Sequence, residues 1–133
     1  MKIAVDRHGT LTQKGVREIV KLLAKAGCEI HVISHVHNST PEKDEQAKQA
    51  ILRLCERHSI PVTSISASNY PAKSDRMREL GCRLLLDDNP NIVQEVESHD
   101  DLMGICVRHP WAYIAWIGRR LGLTDNEPAT TRE

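Results

Sequence analysis

A chain of 133 residues with 18 basic and 18 acidic side chains has no net formal charge, so bulk electrostatics indicates neither nucleic acid nor an anionic membrane surface. That length predicts one domain whose core needs no disulfide or structural metal, and with no phenylalanine the core must rest on Ile, Leu, Val and Ala. No run is long and apolar enough to span a bilayer, and the first residues lead into a strand pattern, not a signal peptide. The cysteines Cys28, Cys55, Cys82 and Cys106 are widely spaced without a CxxC pair. Cys28 and Cys82 each follow a glycine and open an apolar run, so they read as small buried residues in a reduced, cytoplasmic setting.

Strand and helix signals alternate along the chain. Lys2-Ile3-Ala4-Val5 reads as a buried strand ending on Asp6. Val16, Ile19, Val20 and Leu23 then recur at helical spacing, with Gly27 as C-cap. Ile30-His31-Val32-Ile33 is a second strand ending on Ser34. Thr40-Pro41 supplies an N-cap hydroxyl and a first-turn proline for a long helix faced by Ala47, Ala50, Ile51, Leu54, Cys55 and His58. A third strand is expected over 60–65, a short helix over 74–80 closing at Gly81, and a fourth strand over 83–86 ending on Asp87-Asp88. Asn89-Pro90 repeats the cap-and-proline signature for a helix through Val96. A fifth strand over 102–107 and a helix over 111–121 follow, and from Thr124 the chain is polar.

Five strands alternating with helices across short loops imply right-handed βαβ crossovers. The expected fold is α/β: one domain over 1–123, a parallel five-stranded Rossmann-like sheet with helices on both faces, then a flexible tail over 124–133. In such a sheet the ends at Asp6, Ser34 and Asp87-Asp88 converge on one edge, where open α/β folds bind ligands. A carboxylate ending a buried strand is a costly placement for a charge, and two such ends with a serine end beside them point to a site. Taken singly, Asp-Gly and Asp-Asp after a strand are ordinary turn and capping chemistry; the argument rests on their combination.

These pieces resemble the haloacid dehalogenase (HAD) superfamily of phosphotransferases over roughly residues 1–107. Its first motif, a strand ending in Asp-x-Asp-Gly-Thr and an aliphatic residue, stands here as Asp6-Arg7-His8-Gly9-Thr10-Leu11. Its second, a Ser or Thr ending the next strand, is Ser34. Its lysine ahead of the fourth strand is Lys73, and its acidic pair ending that strand is Asp87-Asp88. The resemblance implies a Mg²⁺-dependent phosphatase in which Asp6 takes the phosphoryl group as an aspartyl-phosphate. Asp6, His8 through its main-chain carbonyl, Asp87 and Asp88 would hold the Mg²⁺. Gly9, Thr10, Ser34 and Lys73 would bind the phosphate. Little chain lies between Leu11 and Ser34 or between Ile65 and Cys82, so the resemblance is to the small type without a cap domain, which accepts bulky phosphorylated substrates.

The departure from the family pattern is His8, where its phosphatases carry the acid/base aspartate. Imidazole can do acid/base work near neutral pH but sits awkwardly beside a metal ion. Two readings therefore stand: a HAD-type phosphoric monoester hydrolase using Asp6 and His8, or a catalytically degenerate relative that binds a phosphorylated ligand or a protein partner. A phospho-accepting receiver domain fits poorly, because receivers place the acidic pair after the first strand. His35 and His37 follow Ser34 and could join His8 in a transition-metal cluster, although loop residues facing water or substrate are the simpler reading. The run Trp111, Tyr113, Ile114, Trp116 and Ile117 is apolar nearly all round and serves either the core or a homodimer contact.

Overall fold

The most apolar short runs become the centre of a parallel sheet. The computed structural model describes residues 1–108. In it β1 (Lys2–Val5), β2 (Glu29–His35), β3 (Ser64–Ser68), β4 (Leu84–Asp87) and β5 (Met103–Cys106) align in the order β3-β2-β1-β4-β5. Every pairing is parallel, with Val5 opposite Val32 on one side and Leu86 on the other. The connecting helices are α1 (Lys14–Lys25), α2 (Pro41–Arg57), α3 (Lys73–Leu80) and α4 (Pro90–Glu97). This is the α/β, Rossmann-like architecture expected from the alternation. The expected helix over 111–121, the dimer contact over 111–117 and the tail over 124–133 lie outside the described residues.

Side chains alternate across the sheet, so each strand feeds two cores. Ile3, Val5, Ile30, Val32, Leu84 and Leu86 meet Val16, Ile19, Val20 and Leu23 of α1 and Ile51 and Cys55 of α2 on one face. Ala4, Ile33 and Leu85 meet Met77 of α3 and Val96 of α4 on the other. Helices thus cover both faces, as continuous apolar strands require. The caps behave as their sequences dictate: the Thr40 hydroxyl accepts from the Lys43 N–H at 3.1 Å, and the Asn89 side chain accepts from the Asn91 N–H at 2.9 Å.

Two expectations need correction. The third strand runs over Ser64–Ser68, starting four residues later than the expected 60–65. Pro61 has no N–H for the ladder, and Ile60 and Val62 belong to the approach to the strand, where they pack against the core. The serines suit an edge strand because they find partners across it: Ser64 Oγ meets His31 Nδ1 at 2.6 Å, and Ser66 Oγ accepts from Arg76 Nε at 3.0 Å. Cys28 is half-buried, not buried, while burial pushes the Cys82 thiol up to about 11.

Leu86 lies on β4 beside β1 and is fully buried. Leu86→Ala should therefore cost about 3 kcal/mol of stability, read as a lower urea midpoint with an unchanged slope.

Candidate active site

The chain leaves β1 through an irregular turn, Arg7–Leu11, that folds back under the carboxyl edge of the sheet. Asp6 is still tied to the sheet, its N–H donating to Leu86 O at 3.0 Å. Gly9 takes a left-handed φ of 72°, and a Cβ built there would stand 2.2 Å from Asp88 Oδ2. Glycine is thus required twice, for the turn and for the close approach of the Asp88 carboxylate.

Asp6 and Asp87 end neighbouring strands and point to the same face. Lys73, in the first turn of α3, reaches both: its Nζ lies 2.7 Å from Asp6 Oδ1 and 2.9 Å from Asp87 Oδ2. Lys73 is 4 % exposed and Asp87 0 %, while Asp6 is half-buried at the mouth of this ion triad. Burial is the largest influence on Asp6 and raises its pKa above the usual carboxylate value; Lys73 pulls it back and Asp87 pushes it up again. The second oxygen of Asp87 accepts the Asn89 N–H at 3.0 Å, which fixes the carboxylate's orientation.

Asp88 completes the acidic cluster. Oxygens of Asp6, Asp87 and Asp88 all lie within 4.8 Å of one another. Three carboxylates against one ammonium leave an excess of negative charge, and an all-oxygen donor set suits a hard divalent cation. No histidine joins a metal-ligating cluster among the described residues. His35 and His37 are exposed near the end of β2, and His35 Nδ1 accepts the Tyr70 N–H at 3.1 Å.

The other residues singled out from sequence lie around this cluster. His8 is exposed on the turn just past Asp6. Ser34 is buried near the end of β2, the strand beside β1. The Gly9 N–H donates to Thr12 Oγ1 at 3.0 Å, and the buried Thr10 hydroxyl points to Asp88 Oδ1 at 3.4 Å. In this arrangement the Gly9-Thr10 pair builds the turn and steadies Asp88. His31 is buried and satisfied within the sheet, bonded to Ser64 and to Glu29.

Sequence reasoning missed the residues that hold Asp88 from behind. Its main-chain carbonyl accepts from Cys106 Sγ at 3.5 Å and Arg108 Nε at 3.4 Å. Cys106 ends β5 on the same edge, so the strand-end argument extended to the fifth strand would have found it. Gln13 was missed as well; its side-chain amide donates to the Gly9 carbonyl and braces the turn.

Comparison with protein-family models and with curated proteins finds no match. Among solved structures the fold matches D,D-heptose 1,7-bisphosphate phosphatase from B. bronchiseptica, complexed with magnesium and phosphate. The TM-score is 0.61 at 10 % identity, over 90 % of this chain and 99 % of that one. At that identity the likeness speaks for the fold, and the site must be argued from its own geometry.

Removing the ammonium should expose what it balances. Lys73→Met should destabilise the metal-free protein by about 3 kcal/mol at pH 7, measured by chemical denaturation. Because the ammonium lowers the Asp6 pKa, its loss raises that pKa further. Acid then protonates Asp6 in the folded state first, so the deficit should shrink from pH 7 to pH 5, and Mg²⁺ should restore part of the stability.

Proposed function

We propose that this chain is a HAD-type, Mg²⁺-dependent phosphoric monoester hydrolase working through an aspartyl-phosphate on Asp6. The observation that carries the reading is the largely buried Asp6–Lys73–Asp87 triad at the carboxyl edge of adjacent parallel strands, with Asp88 alongside. Structural chemistry alone would seldom favour so much buried charge, whereas a phosphoryl-transfer site needs it. The similarity in fold to a phosphatase supports the same reading.

Asp6, Asp87 and Asp88, with the His8 carbonyl, would hold the Mg²⁺, which when bound offsets carboxylate and phosphoryl charge so that an anionic nucleophile can approach an anionic ester. An Asp6 carboxylate oxygen attacks phosphorus, and the bond from phosphorus to the ester oxygen breaks. Ser34 and Lys73 hold the phosphoryl oxygens, with Gly9 and Thr10 shaping the turn beneath them. His8 delivers the proton that the departing alkoxide needs, then takes one from the water that attacks the aspartyl-phosphate. Water's oxygen ends on inorganic phosphate and the Asp6 carboxylate is regenerated. Among the described residues no helix is long and apolar enough to cross a membrane. The free cysteines fit a reducing, cytoplasmic compartment.

The second reading, a degenerate relative that binds a phosphorylated ligand without turnover, is favoured by one observation: an imidazole at position 8 where an acid/base carboxylate would serve better beside a metal.

Turnover of phenyl phosphate should require Mg²⁺ and fall by roughly a thousandfold or more in Asp6→Asn; an unchanged rate in that variant rejects the mechanism. His8→Asp separates the two readings. A faster His8→Asp protein marks His8 as a weakening substitution, while a slower one, slowest on alkyl phosphates with poor leaving groups, marks the imidazole as the working acid.

A further inference from the structure

A recess of about 330 Å³ opens beside Lys73, between the end of β2, the β3–α3 connection and α4. Its walls include His35, Tyr70, Asn91, Ile92 and Glu95. That volume is at the small end of the roughly 300–1,000 Å³ typical of ligand pockets, so it suits one compact group. Resting on the hydrolase reading above, we infer that this recess receives the leaving group of the substrate, and that this group is a neutral, hydroxylated one of single-sugar size.

The wall chemistry carries the inference. Tyr70 and Ile92 pack against the core beneath α3 and α4, which makes them a fixed apolar wall for the carbon face of a ring. Polar groups line the same recess. His35 accepts the Tyr70 N–H on Nδ1, so a neutral imidazole carries its proton on Nε2 and presents a donor. Glu95 takes Ser74 Oγ at 2.7 Å and His99 Nε2 at 2.8 Å, both on Oε2, which orients Oε1 as an acceptor. Asn91 offers both an acceptor and donors. An apolar face with donors and acceptors at its rim is what a polyol ring requires.

Charge then narrows the class. Among the described residues that line the recess, Lys73 is the one full cation, and it is committed to Asp6 and Asp87. The remaining fixed charge is the Glu95 carboxylate, whose pKa ends below the usual value: burial alone would raise it, but the Ser74 and His99 hydrogen bonds outweigh that. A second phosphate in this recess would meet an anion and no free cation. Monophosphates are therefore favoured over bisphosphates.

The test compares kcat/KM, with Mg²⁺ present, for glucose 6-phosphate, glucose 1,6-bisphosphate, adenosine monophosphate and phenyl phosphate. Glucose 6-phosphate should exceed both the bisphosphate and the nucleotide by roughly tenfold. Glu95→Gln should lower glucose 6-phosphate turnover roughly tenfold more than phenyl phosphate turnover, and Asn91→Arg should shift the preference toward the bisphosphate. A parent protein that prefers the bisphosphate or the nucleotide overturns the inference, as do ratios that neither variant moves. If no ester is turned over, including phenyl phosphate, the hydrolase reading fails by itself. Calorimetric binding of glucose 6-phosphate to the Mg²⁺-loaded protein then decides the recess. Binding that weakens in Glu95→Gln upholds it, and binding that is absent or unmoved overturns it.

Discussion

One buried ammonium shared by two carboxylates, one buried and one half-buried, governs the carboxyl edge of this sheet. Lys73 Nζ stands between Asp6 and Asp87, each at the end of a strand whose buried neighbours are Ile, Leu, Val and Ala. Low-dielectric surroundings make that attraction strong, and the same surroundings make either carboxylate expensive without it. The placement of α3 follows from this constraint. Its first turn must come within ion-pair distance of two strand ends, and its later residues, Met77 above all, must pack on the face beneath. The geometry of the charged cluster and the packing of the core are therefore set by one helix.

Around the triad, each neighbour limits the freedom of another. Gly9 can approach Asp88 only because it lacks a Cβ, Thr10 and Gln13 hold the turn, and Cys106 and Arg108 hold the Asp88 carbonyl from the far side. The acidic cluster is thus fixed by four segments far apart in sequence. Such overdetermination is what a preorganised electrostatic site requires, since carboxylates free to turn away would relax their repulsion instead of presenting it to a cation.

Much of this was legible in the sequence, for a physical reason. Strand ends in a parallel sheet share an edge, so Asp6, Ser34 and Asp87-Asp88 could be assigned to one place from alternation alone. Lys73 was legible only by its position ahead of the fourth strand; nothing in a lone lysine at a helix start reveals two carboxylate partners. The third strand was misplaced because apolar residues report burial, whereas the ladder needs N–H groups, and Pro61 separates the two signals. The recess beside Lys73 was invisible, since Tyr70, Asn91 and Glu95 come from segments whose proximity exists only after α3 and α4 have docked. The close packing of the Gly9-Thr10 turn on Asp88 depends on backbone conformation that no motif spells out.

The strand order has a consequence for how the molecule is made. Of the five strands β1 comes earliest in the sequence, yet it is the central strand of the finished sheet, with β2 on one side and β4 on the other. Its pairing with β2 is available early, but the partner on its other side is separated from it by α1, β2, α2, β3 and α3. Until β4 arrives, β1 presents an unpaired edge and Asp6 has no neighbouring Asp87. A nascent chain stopped before residue 84 would thus hold three of the five strands, an open strand edge prone to pairing with other chains, and Asp6 without Asp87. The Asp6–Asp87 pairing and the covering of β1's open edge arrive together, with the docking of one four-residue strand.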